Sequence, residues 1–490
     1  MTLEELLQQP FVSLPELVRR NASERPDRAA LVQEGRSLDY RALDALMDRV
    51  AASLQRDGVR PQEAIAICAP TSIEYAALFL GALRAGVAVA PLSPSSTAES
   101  LAKMIADSGA KRVFDDRRLA ALDDWLGAGE PEPVAIQPEW PFNIIYSSGT
   151  TGEPKGIVHP HRMRWVHIQR AARLGYGPEA VTLVSTPLYS NTTLVSFLPT
   201  VALGGTAILM AKFDVRGYLE LAQKHRVTHT MLVPVQYRRF MAFPDFDRYD
   251  LSSFRMKRCT SAPFGAALKA EVLRRWPGKL LDSYGLTEGG GTCMLDCGAH
   301  PDKLHTVGKP APGHVVKIID EGGRELPPGA TGEIVGHSPG IMTGYKNRPD
   351  LTREAEWHDA EGRRYIRTGD IGRFDEDGFV VITDRKKDVI ISGGFNIYPS
   401  DLEAVLTQHP DVAEATVVGV PSDKWGETPV GFVVLRKSAS PARLLEWANQ
   451  KLGKTQRLAE VRIVDALPRS PIGKVLKREL REKFTRGSAC

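Results

Sequence analysis

A stretch of ten residues, Ser147 to Gly156, concentrates the groups that bind phosphate. It reads Ser-Ser-Gly-Thr-Thr-Gly-Glu-Pro-Lys-Gly and follows an apolar run, Phe142 to Tyr146, that predicts a strand. Glycines let the backbone approach an anion, while consecutive N–H groups, hydroxyls and a lysine can surround its oxygens. A Walker A loop does not fit, because Lys155 is followed by glycine instead of serine or threonine. The stretch therefore predicts a phosphate loop of another geometry, with a flexible surface turn as the alternative.

Composition limits what the chain can be. It has 490 residues, enough for about three domains or subdomains. The hydrophobic share is 42%, as in ordinary globular proteins. The net charge of +4 suits small anionic substrates, but no run of Lys and Arg is long enough to indicate nucleic-acid binding. We expect no signal peptide, transmembrane segment or disulfide framework, so a cytoplasmic, reducing setting is the simplest.

The elements around the phosphate loop alternate between strands and helices. Apolar spacing predicts a helix over Asp39–Leu54 with Asp39 as its cap, and Thr71 is predicted to open another helix as a capping box. Strands lie on both sides of that second helix, which predicts parallel βαβ units. In such sheets the ligand crevice lies at the carboxyl ends of the strands. Tyr146 and Tyr284 both stand at such ends.

The pattern changes near residue 307. Val315–Ile319, Thr331–Val335 and Phe379–Thr383 predict short strands between Gly/Pro turns. The charged run Asp384–Asp388 follows, either as a linker between domains or as a solvated hairpin. We predict an α/β chain with a large N-terminal domain of parallel βαβ sheets over 1–384, which includes a small β-rich subdomain at about 307–384. A small mobile α+β C-terminal domain over 385–490 completes it.

These stretches together resemble the adenylate-forming superfamily of acyl-CoA synthetases, adenylation domains and luciferases, over nearly the whole chain. The resemblance rests on ordered motifs, which are Ser147–Gly156, Thr260-Ser-Ala-Pro263, Tyr284-Gly-Leu-Thr-Glu288, Thr368-Gly-Asp370, Asp384-Arg-Lys-Lys-Asp388, Ser392-Gly-Gly394 and Pro471-Ile-Gly-Lys474. In the second motif the family more commonly has Gly-Gly-Ala-Pro. The resemblance implies an enzyme that joins a carboxylic acid to the α-phosphate of ATP, releases pyrophosphate and passes the acyl group to a thiol.

The resemblance assigns ATP and AMP to one set of residues. They are Ser147, Ser148, Gly149, Thr150, Thr151, Gly152, Lys155, Ser261, Ala262, Pro263, Asp282, Ser283, Tyr284, Gly285, Thr287, Asp370, Arg385 and Lys474. Tyr284 offers a ring face to adenine and Asp282 an acceptor for its amino group, while Asp370 and Arg385 hold the ribose. Glu288 is the implied Mg²⁺ ligand, since this hard cation prefers carboxylate, phosphate and water oxygens.

Catalysis is assigned by the same resemblance to Lys474, Thr287 and Glu288. Lys474 would contact the reacting carboxylate and the α-phosphate, where one charge about 4 Å away is worth roughly 4 kcal/mol at an effective dielectric of about 20. An ordinary surface lysine is the alternative. Lys387 occupies the family's hinge position, so a turn there would withdraw Lys474 after the first step.

The acyl pocket is expected near Thr186–Asn191 and Gly289–Gly291. Its predicted residues are Tyr189, Ser190, Asn191, Val195, Ser261, Gly285 and Gly289. Ser190 stands where many CoA ligases have a histidine, which leaves the handling of the carboxylate open. Tyr189–Val195 contains no acid, so an α-amino acid is not expected. The mostly apolar stretch Thr192–Leu203 favours an aryl acid or a medium- or long-chain aliphatic acid.

The leading hypothesis is a free-standing acid–CoA ligase that uses ATP, CoA and Mg²⁺, with Gly393, Gly394 and Trp425 along the CoA channel. The alternatives are an enzyme that loads a separate carrier protein and a nucleotide-binding protein without ligase activity. No carrier domain is expected after residue 490, and a homodimer stays open. Cys293 and Cys297, with His300 and His305 nearby, raise the question of a zinc site. Incidental thiols are preferred, because the gap between the two cysteines is loose and no second cysteine pair exists.

Overall fold

The computed structural model describes residues 2–147, 155–392, 395–422, 425–453, 456–469, 473 and 475–487. The predicted phosphate-loop residues Ser148–Gly152, the glycines Gly393 and Gly394, and Lys474 lie outside these residues. The chain forms two compact units, here called the large unit (1–315 and 336–366) and the small unit (316–335 and 367–490). The boundary predicted near residue 384 for a mobile domain stays a prediction.

The described helices and strands alternate through most of the chain. The helices are α1 (Leu3–Leu7), α2 (Leu14–Glu24), α3 (Tyr40–Arg56), α4 (Ile73–Arg84), α5 (Ala98–Ser108), α6 (Asp116–Ala120), α7 (Leu122–Trp125), α8 (His161–Arg173), α9 (Asn191–Ala202), α10 (Val215–Lys224), α11 (Pro234–Met241), α12 (Ala266–Arg275), α13 (Pro349–Glu354), α14 (Pro399–Thr407), α15 (Pro441–Lys451) and α16 (Lys477–Gly487). The strands are β1 (Ala29–Gln33), β2 (Arg36–Asp39), β3 (Ala64–Cys68), β4 (Ala88–Pro91), β5 (Ala110–Asp115), β6 (Pro141–Ser147), β7 (Lys155–Pro160), β8 (Val181–Val184), β9 (Thr206–Leu209), β10 (His229–Leu232), β11 (Met256–Cys259), β12 (Lys279–Tyr284), β13 (Cys293–Asp296), β14 (Lys309–Pro310), β15 (Val315–Ile319), β16 (Gly332–His337), β17 (Gly344–Tyr345), β18 (Glu356–His358), β19 (Arg364–Phe374), β20 (Val380–Arg385), β21 (Ile390–Ser392), β22 (Phe395–Ile397), β23 (Val412–Ser422), β24 (Gly426–Leu435) and β25 (Glu460–Ile463).

Two sheets of the large unit carry the predicted parallel βαβ units. One has nine strands in the order β14-β13-β12-β11-β10-β8-β9-β1-β2, and the run from β12 to β1 is parallel throughout. The other has six strands in the order β17-β7-β6-β4-β3-β5, with β6, β4, β3 and β5 parallel. The expected crevice at the carboxyl ends of β6 and β12 therefore belongs to two neighbouring sheets of one unit.

Helix caps follow the sequence closely but not always at the predicted residue. The Asp39 carboxylate accepts from the backbone N–H of Ala42 at 2.8 Å, which confirms the predicted cap of α3. In α4 the cap is Ser72, so the prediction of Thr71 is wrong by one residue. The Thr71 hydroxyl is buried and accepts instead from the backbone N–H of Leu188 at 3.1 Å, a tertiary contact that a local pattern does not contain.

The predicted short strands are present as β15, β16 and β20. They belong to a five-stranded sheet in the order β15-β16-β19-β18, with β20 paired to β19, and the chain passes between the two units within β15, β16 and β19. The rest of the small unit has a sheet in the order β22-β21-β24-β23, with β25 paired to β24. Val417, Val433 and Leu444 lie in the core of that α+β part. Among the described helices of both units, none is long and apolar enough to cross a membrane.

Candidate active site

The phosphate-loop segment begins and ends on two neighbouring strands of the large unit. β6 and β7 are antiparallel, with Tyr146 opposite Gly156 and Ser147 opposite Lys155. The predicted loop residues between them lie outside the described chain, so their contacts with phosphate stay a prediction. The strand ends that hold the loop agree with the expectation from the sequence, because β6 ends where the phosphate-binding residues begin.

One tyrosine links the predicted metal ligand to the lysine near the end of the predicted phosphate loop. The Tyr345 hydroxyl donates to Oε1 of Glu288 at 2.8 Å, and Lys155 Nζ lies 5.5 Å from the centre of the Tyr345 ring. Pairing of β17 with β7 sets this position, since Tyr345 lies opposite Ile157. Burial and the negative charge of Glu288 raise the pKa of the Tyr345 hydroxyl, so it remains a donor at neutral pH. Sequence reasoning missed Tyr345, because its partner lies 57 positions away.

The backbone of Thr287 is held by a buried histidine. His159 Nε2 lies 2.7 Å from the Thr287 carbonyl oxygen. Arg164 donates to Nδ1 of the same ring at 2.8 Å, so Nδ1 accepts and the Nε2–H donates to Thr287. Burial and then the Arg164 charge lower the pKa of His159 well below its ordinary value, which keeps the ring neutral. His159 is a second positioning residue that the sequence reasoning missed.

The turn predicted to flank adenine lies beside the strand that carries Tyr284. β11 and β12 are parallel neighbours, and the Thr260 hydroxyl donates to the Ser283 carbonyl oxygen at 2.7 Å. Ser261 has a φ of 77°, a conformation that favours glycine. This is the second position of the motif, where the family more commonly has glycine. The hydroxyls of Ser261 and Thr192 are 2.6 Å apart, which joins the turn to the start of α9.

Asp282 has a buried cation as its partner. Lys269 Nζ lies 2.7 Å from Oδ2 of Asp282 and also donates to the carbonyl oxygens of Leu304 and Thr306, each at 3.0 Å. Burial raises the pKa of Asp282, while the Lys269 charge opposes that rise. The ion pair anchors β12 just before Tyr284. The predicted acceptor role of Asp282 toward adenine stays a prediction.

The segment after Glu288 packs closely on another part of the large unit. Gly289 has a φ of 83°, and a Cβ atom there would collide with the carbonyl oxygen of Gly340. A glycine is therefore required at this position on two grounds, the backbone conformation and the close approach. The structure brings this predicted acyl-pocket residue next to Gly340 and Ile341, neighbours that the sequence does not predict.

The predicted acyl-pocket residues on and before α9 are half-buried. Tyr189, Ser190, Asn191 and Val195 all retain some exposure. Ser190 stands at the N-cap of α9, but its side chain makes no capping hydrogen bond. The Oδ1 atom of Asn191 is buried without a hydrogen-bond partner in the described parts of the chain. These side chains leave polar groups available at the helix start, within the predicted acyl pocket.

In the small unit, the two residues predicted to hold ribose are brought together. Arg385 Nε lies 2.7 Å from Oδ1 of Asp370, and the two residues are opposite each other in the pairing of β19 with β20. Asp370 is only 4% exposed, and its backbone N–H donates to the Thr368 hydroxyl at 3.0 Å. Thr368 in turn donates to the Ile334 carbonyl oxygen at 2.7 Å. In this arrangement the Arg385 guanidinium can donate hydrogen bonds to a sugar, and the Asp370 carboxylate can accept hydrogen bonds from neighbouring hydroxyls of the same sugar.

The predicted hinge residue lies between two anchored positions of the small unit. Lys387 is in a single 3₁₀ turn over Lys386–Asp388. Before it, Oδ2 of Asp384 accepts from the backbone N–H of Ser400 at 2.8 Å. Beside it, Lys386 Nζ lies 2.9 Å from Oε2 of Glu333. Trp425, the predicted wall of the CoA channel, is 49% exposed.

The two cysteines of the alternative zinc site lie in the interior of the large unit. Cys293 and Cys297 are both fully buried thiols. No group of three or more His, Cys, Asp and Glu side chains in the described residues is arranged to hold a metal ion. Glu288 is suited to a different kind of site, in which one carboxylate joins phosphate and water oxygens around Mg²⁺.

Comparison with known proteins defines the class to which this fold and site belong. The family described as AMP-binding enzyme matches residues 18–346, and the AMP-binding enzyme C-terminal domain matches residues 401–474. The chain belongs to the AMP-binding enzyme family. The predicted adenylate-forming superfamily, the α/β fold with a small C-terminal domain and the acid–thiol ligase class are thereby confirmed.

Particular relatives cover nearly the whole chain. It is 32% identical to the fatty acid–[acyl-carrier-protein] ligase ScoC of Streptomyces coeruleorubidus, over 96% of this chain and 96% of the relative. It is 32% identical to a feruloyl-CoA synthase of Amycolatopsis sp, over 95% of this chain and 98% of the relative. A solved structure of o-succinylbenzoate coenzyme A synthetase (MenE) from Bacillus subtilis, in complex with ATP and magnesium ion, has a TM-score of 0.83 at 27% identity and covers 95% and 98% of the two chains.

Proposed function

We propose that this adenylate-forming enzyme is an acid–CoA ligase. In the first step, a carboxylate oxygen attacks the α-phosphorus of ATP, a C–O–P link forms, the bond to the β-phosphate breaks and pyrophosphate leaves. In the second step, the sulfur of CoA attacks the acyl carbon, a C–S bond forms, AMP leaves and the thiol proton is released. The observation that carries the proposal is the contact of Tyr345 with both Glu288 and Lys155, which joins the predicted metal ligand to the predicted phosphate segment.

Glu288 is the residue that would hold Mg²⁺. One of its oxygens accepts from Tyr345, and its side chain is half-buried, so the carboxylate has a fixed orientation and access to solvent. A bound Mg²⁺ would neutralise charge on the phosphates of ATP. Ser148–Gly152 and Lys155 would bind the β- and γ-phosphates, by the resemblance.

Thr287 would donate its hydroxyl to the α-phosphate. The bond from His159 fixes its backbone, and this supports the role because catalysis by positioning depends on groups that are held before the substrate arrives. Tyr284 would stack on adenine, with Ser261–Pro263 along the other side. Asp370 and Arg385 would hold the ribose hydroxyls.

The C-terminal part of the chain would supply Lys474 for adenylation and then the channel for the thiol. Lys387 is the proposed hinge of the domain over 385–490. Gly393 and Gly394 would leave room for the pantetheine arm of CoA, with Trp425 as a wall. CoA is preferred over a carrier protein as the acceptor, although ScoC is a ligase for a carrier protein.

The substrate is proposed to be an aryl or aliphatic acid. The absence of an acidic side chain over Tyr189–Val195 argues against an α-amino acid, whose ammonium needs a counter-charge. Cys68, Cys259, Cys293 and Cys297 are free, buried thiols, which agrees with a reducing cytoplasm.

Exchange of labelled pyrophosphate into ATP tests the proposed function. We expect exchange with at least one acid from a panel of benzoates, cinnamates and fatty acids, and thioester formation when CoA is added. If no acid supports exchange, a nucleotide-binding protein without ligase activity becomes the better reading. If exchange occurs but CoA is never acylated, CoA is not the acceptor, and acylation of a carrier protein is the next assay.

Lys474→Ala separates the two half-reactions. We expect it to slow acyl-adenylate formation by about a thousandfold, the effect of one lost charge contact of roughly 4 kcal/mol. Thioester formation from supplied acyl-adenylate should continue. Lys155→Ala is the comparison variant and should cost less than Lys474→Ala. Equal loss of both half-reactions in Lys474→Ala would contradict the assigned role.

A further inference from the structure

A group of basic side chains in the large unit, one of them buried and three half-buried, has no part in the mechanism above. It consists of His167 and Arg170 on α8, Arg258 on β11 and His314, and is called the basic cluster here. His167 and Arg170 are three residues apart, which places them on one face of the helix. Arg258 is 3% exposed. Its guanidinium is therefore almost completely removed from water.

The cations of the basic cluster have no acidic partner among the residues that the structure describes. Arg170 makes no hydrogen bond or ion pair there, and the groups next to Arg258 are neutral: its Nη1 lies 3.5 Å from the Val195 carbonyl oxygen, and its guanidinium is close to the Tyr176 hydroxyl. The Nε atom of Arg258 and the Nδ1 atom of His167 are buried without a partner in the same described ranges. By contrast, the buried Arg84 of the same unit forms ion pairs with two aspartates.

A buried charge without a counter-ion is costly, so the Arg258 guanidinium, with the half-buried Arg170 near it, requires an explanation. Burial and then the charge of Arg258 lower the pKa of Arg170 to about 9, which still leaves it protonated at neutral pH. Burial lowers the pKa of His314 to about 4, with Arg170 as the next cause. The site therefore presents two guanidinium cations beside neutral imidazoles.

The basic cluster borders two segments of the predicted acyl pocket and the segment of Gly340 that packs against one of them. Arg258 contacts the backbone of Val195. His314 Nδ1 accepts from the backbone N–H of Thr292 at 2.9 Å, and the Gly290 carbonyl oxygen lies 3.2 Å from the same nitrogen. A Cβ atom at Gly340 would lie 3.8 Å from His167 Nε2. Gly340 is also the close neighbour of the pocket residue Gly289.

The basic cluster is close enough to the reaction centre to meet a small substrate. Gly290 follows Thr287 by three residues, which span at most about 11 Å. An aryl acid or a short aliphatic acid could place its reacting carboxylate at Thr287 and its far end beside His314. A long alkyl chain would not be stabilised by cations at that depth, because it carries no charge that could pair with them.

We propose that the basic cluster binds a second anionic group of the acid substrate, with Arg170 and Arg258 as its counter-ions. The substrate class is then an aryl or short aliphatic acid that carries a second carboxylate or a comparable anion. This rests on the proposed function and makes it more specific. Only one of the two anionic groups is adenylated, and the other is held by charge-assisted hydrogen bonds.

Pairs of acids that differ by one anionic group test the inference with the full-length enzyme. Cinnamate is compared with 4-carboxycinnamate, and hexanoate with adipate, by the kcat/KM of acid-dependent pyrophosphate exchange. We expect the doubly charged acid of at least one pair to be preferred by about 10- to 100-fold, the range for hydrogen bonds to a charged group. This comparison needs only the unaltered chain, so it does not depend on the folding of a variant.

Arg170→Met removes the charge and keeps much of the side-chain volume. We expect it to reduce kcat/KM for the preferred doubly charged acid by about 10- to 100-fold, to leave the singly charged acid unchanged, and to be partly rescued in Arg170→Lys. Arg173→Met is the matched control, because Arg173 is on the same helix but exposed. It should behave as the unaltered enzyme.

The outcomes separate this inference from the proposed function. If the enzyme supports exchange with the singly charged acids but disfavours both doubly charged acids, the inference is overturned and the ligase assignment stays intact. An equal loss for both kinds of acid in Arg170→Met would also overturn it. A complete lack of exchange with every acid tested would count against the proposed function itself, and the inference would fall with it.

Discussion

The Tyr345 hydroxyl and the Glu288 carboxylate are joined by a hydrogen bond of 2.8 Å in which the tyrosine donates. The bond holds one oxygen of Glu288 in place and so orients the other. Outer partners of this kind tune the orientation of metal ligands in proteins. Because Lys155 stands over the same ring, Tyr345 couples the position of the carboxylate to the end of the phosphate loop.

Removal of that hydroxyl should weaken the use of Mg²⁺ and ATP together. We expect Tyr345→Phe to raise the Mg²⁺ concentration needed for half-maximal adenylation. The kcat/KM for ATP should fall by about 10- to 100-fold, since a hydrogen bond to a charged group is worth about 1.5–3 kcal/mol. A titration of adenylation rate against Mg²⁺ measures this.

Tyr365→Phe is a matched control for that experiment. Its hydroxyl also donates to a carboxylate, Oδ2 of Asp359, at 3.0 Å in the same unit. The variant should lose stability but keep the Mg²⁺ dependence of the unaltered enzyme. Identical Mg²⁺ titrations for Tyr345→Phe and the unaltered enzyme would show that Tyr345 does not position the metal ligand.

The bond from His159 to Thr287 should affect the rate more than the binding of ATP. His159→Leu leaves the Thr287 carbonyl oxygen without its donor, and an unsatisfied buried group costs about 1–3 kcal/mol. We expect kcat for acyl-adenylate formation to fall by about 10-fold or more, with a smaller change in KM for ATP. Rapid-quench measurement of single turnovers gives the two quantities separately.

His161→Leu controls for the loss of a buried histidine as such. His161 is 2% exposed, and its Nε2 atom has no hydrogen-bond partner in the described ranges. The His161→Leu variant should keep the adenylation rate of the unaltered enzyme. If the two variants slow adenylation equally, general disturbance of the core explains the effect, and the positioning role of His159 is wrong.

Local sequence patterns predict those parts of the fold that depend on neighbours along the chain. Apolar spacing and the Asp39 cap place α3 correctly, because a helix satisfies most of its own hydrogen bonds locally. The Thr71 cap is displaced by one residue, because a distant backbone group competes for its hydroxyl. Strand–helix alternation predicts the parallel sheets because this pattern, too, lies in consecutive segments of the chain.

The supporting shell of the site is set by distant segments, and no local pattern contains it. The motifs place Glu288 and Thr287 in one loop, but Tyr345 and His159 reach them from β17 and β7. The positive charge of the basic cluster likewise stays uncompensated because no acidic side chain among the described residues pairs with it. Only the folded chain shows which side chains surround the cluster. In the sequence, the half-buried Arg170 does not differ from any other helix arginine.

Ser261 should show the cost of a left-handed backbone conformation in a residue with a side chain. Its φ is 77°, and its hydroxyl contacts Thr192 at 2.6 Å. Both Ser261→Gly and Ser261→Ala remove the hydroxyl, so their difference reports the backbone alone. We expect the glycine variant to be more stable by about 1 kcal/mol, because a Cβ atom is disfavoured at this φ.

The free energy of unfolding in urea measures that difference. Thr192→Val removes the same hydroxyl contact from the other side and leaves the backbone of Ser261 unchanged. It should be less stable than the unaltered chain by about 0.5–1.5 kcal/mol, the net value of one hydrogen bond. Equal stability of the glycine and alanine variants would mean that the turn relaxes to another conformation in solution.

Buried neutral histidines should make the large unit less stable in mild acid. His161 and His229 are 2% and 1% exposed. Burial lowers the pKa of His161 to about 3 and that of His229 to about 4. A histidine in an unfolded chain has a pKa of about 6.5, so the unfolded state takes up protons first as the pH falls. Stability that is fully present above about pH 6.5 is then lost progressively toward the folded pKa.

The size of this effect can be isolated at one residue. Between about pH 7.5 and 5.5, each such histidine should cost about 1.4 kcal/mol of unfolding free energy. His161→Leu keeps an apolar side chain in the site and removes the titrating group. Between the same two pH values, this variant should therefore lose less unfolding free energy than the unaltered chain, by this amount. Urea unfolding at the two pH values, followed by tryptophan fluorescence, gives the comparison. A substitution at an exposed histidine, His358→Gln, is the control and should leave the pH dependence of stability unchanged. If His161→Leu also leaves it unchanged, the His161 ring is already protonated or solvated in the folded protein.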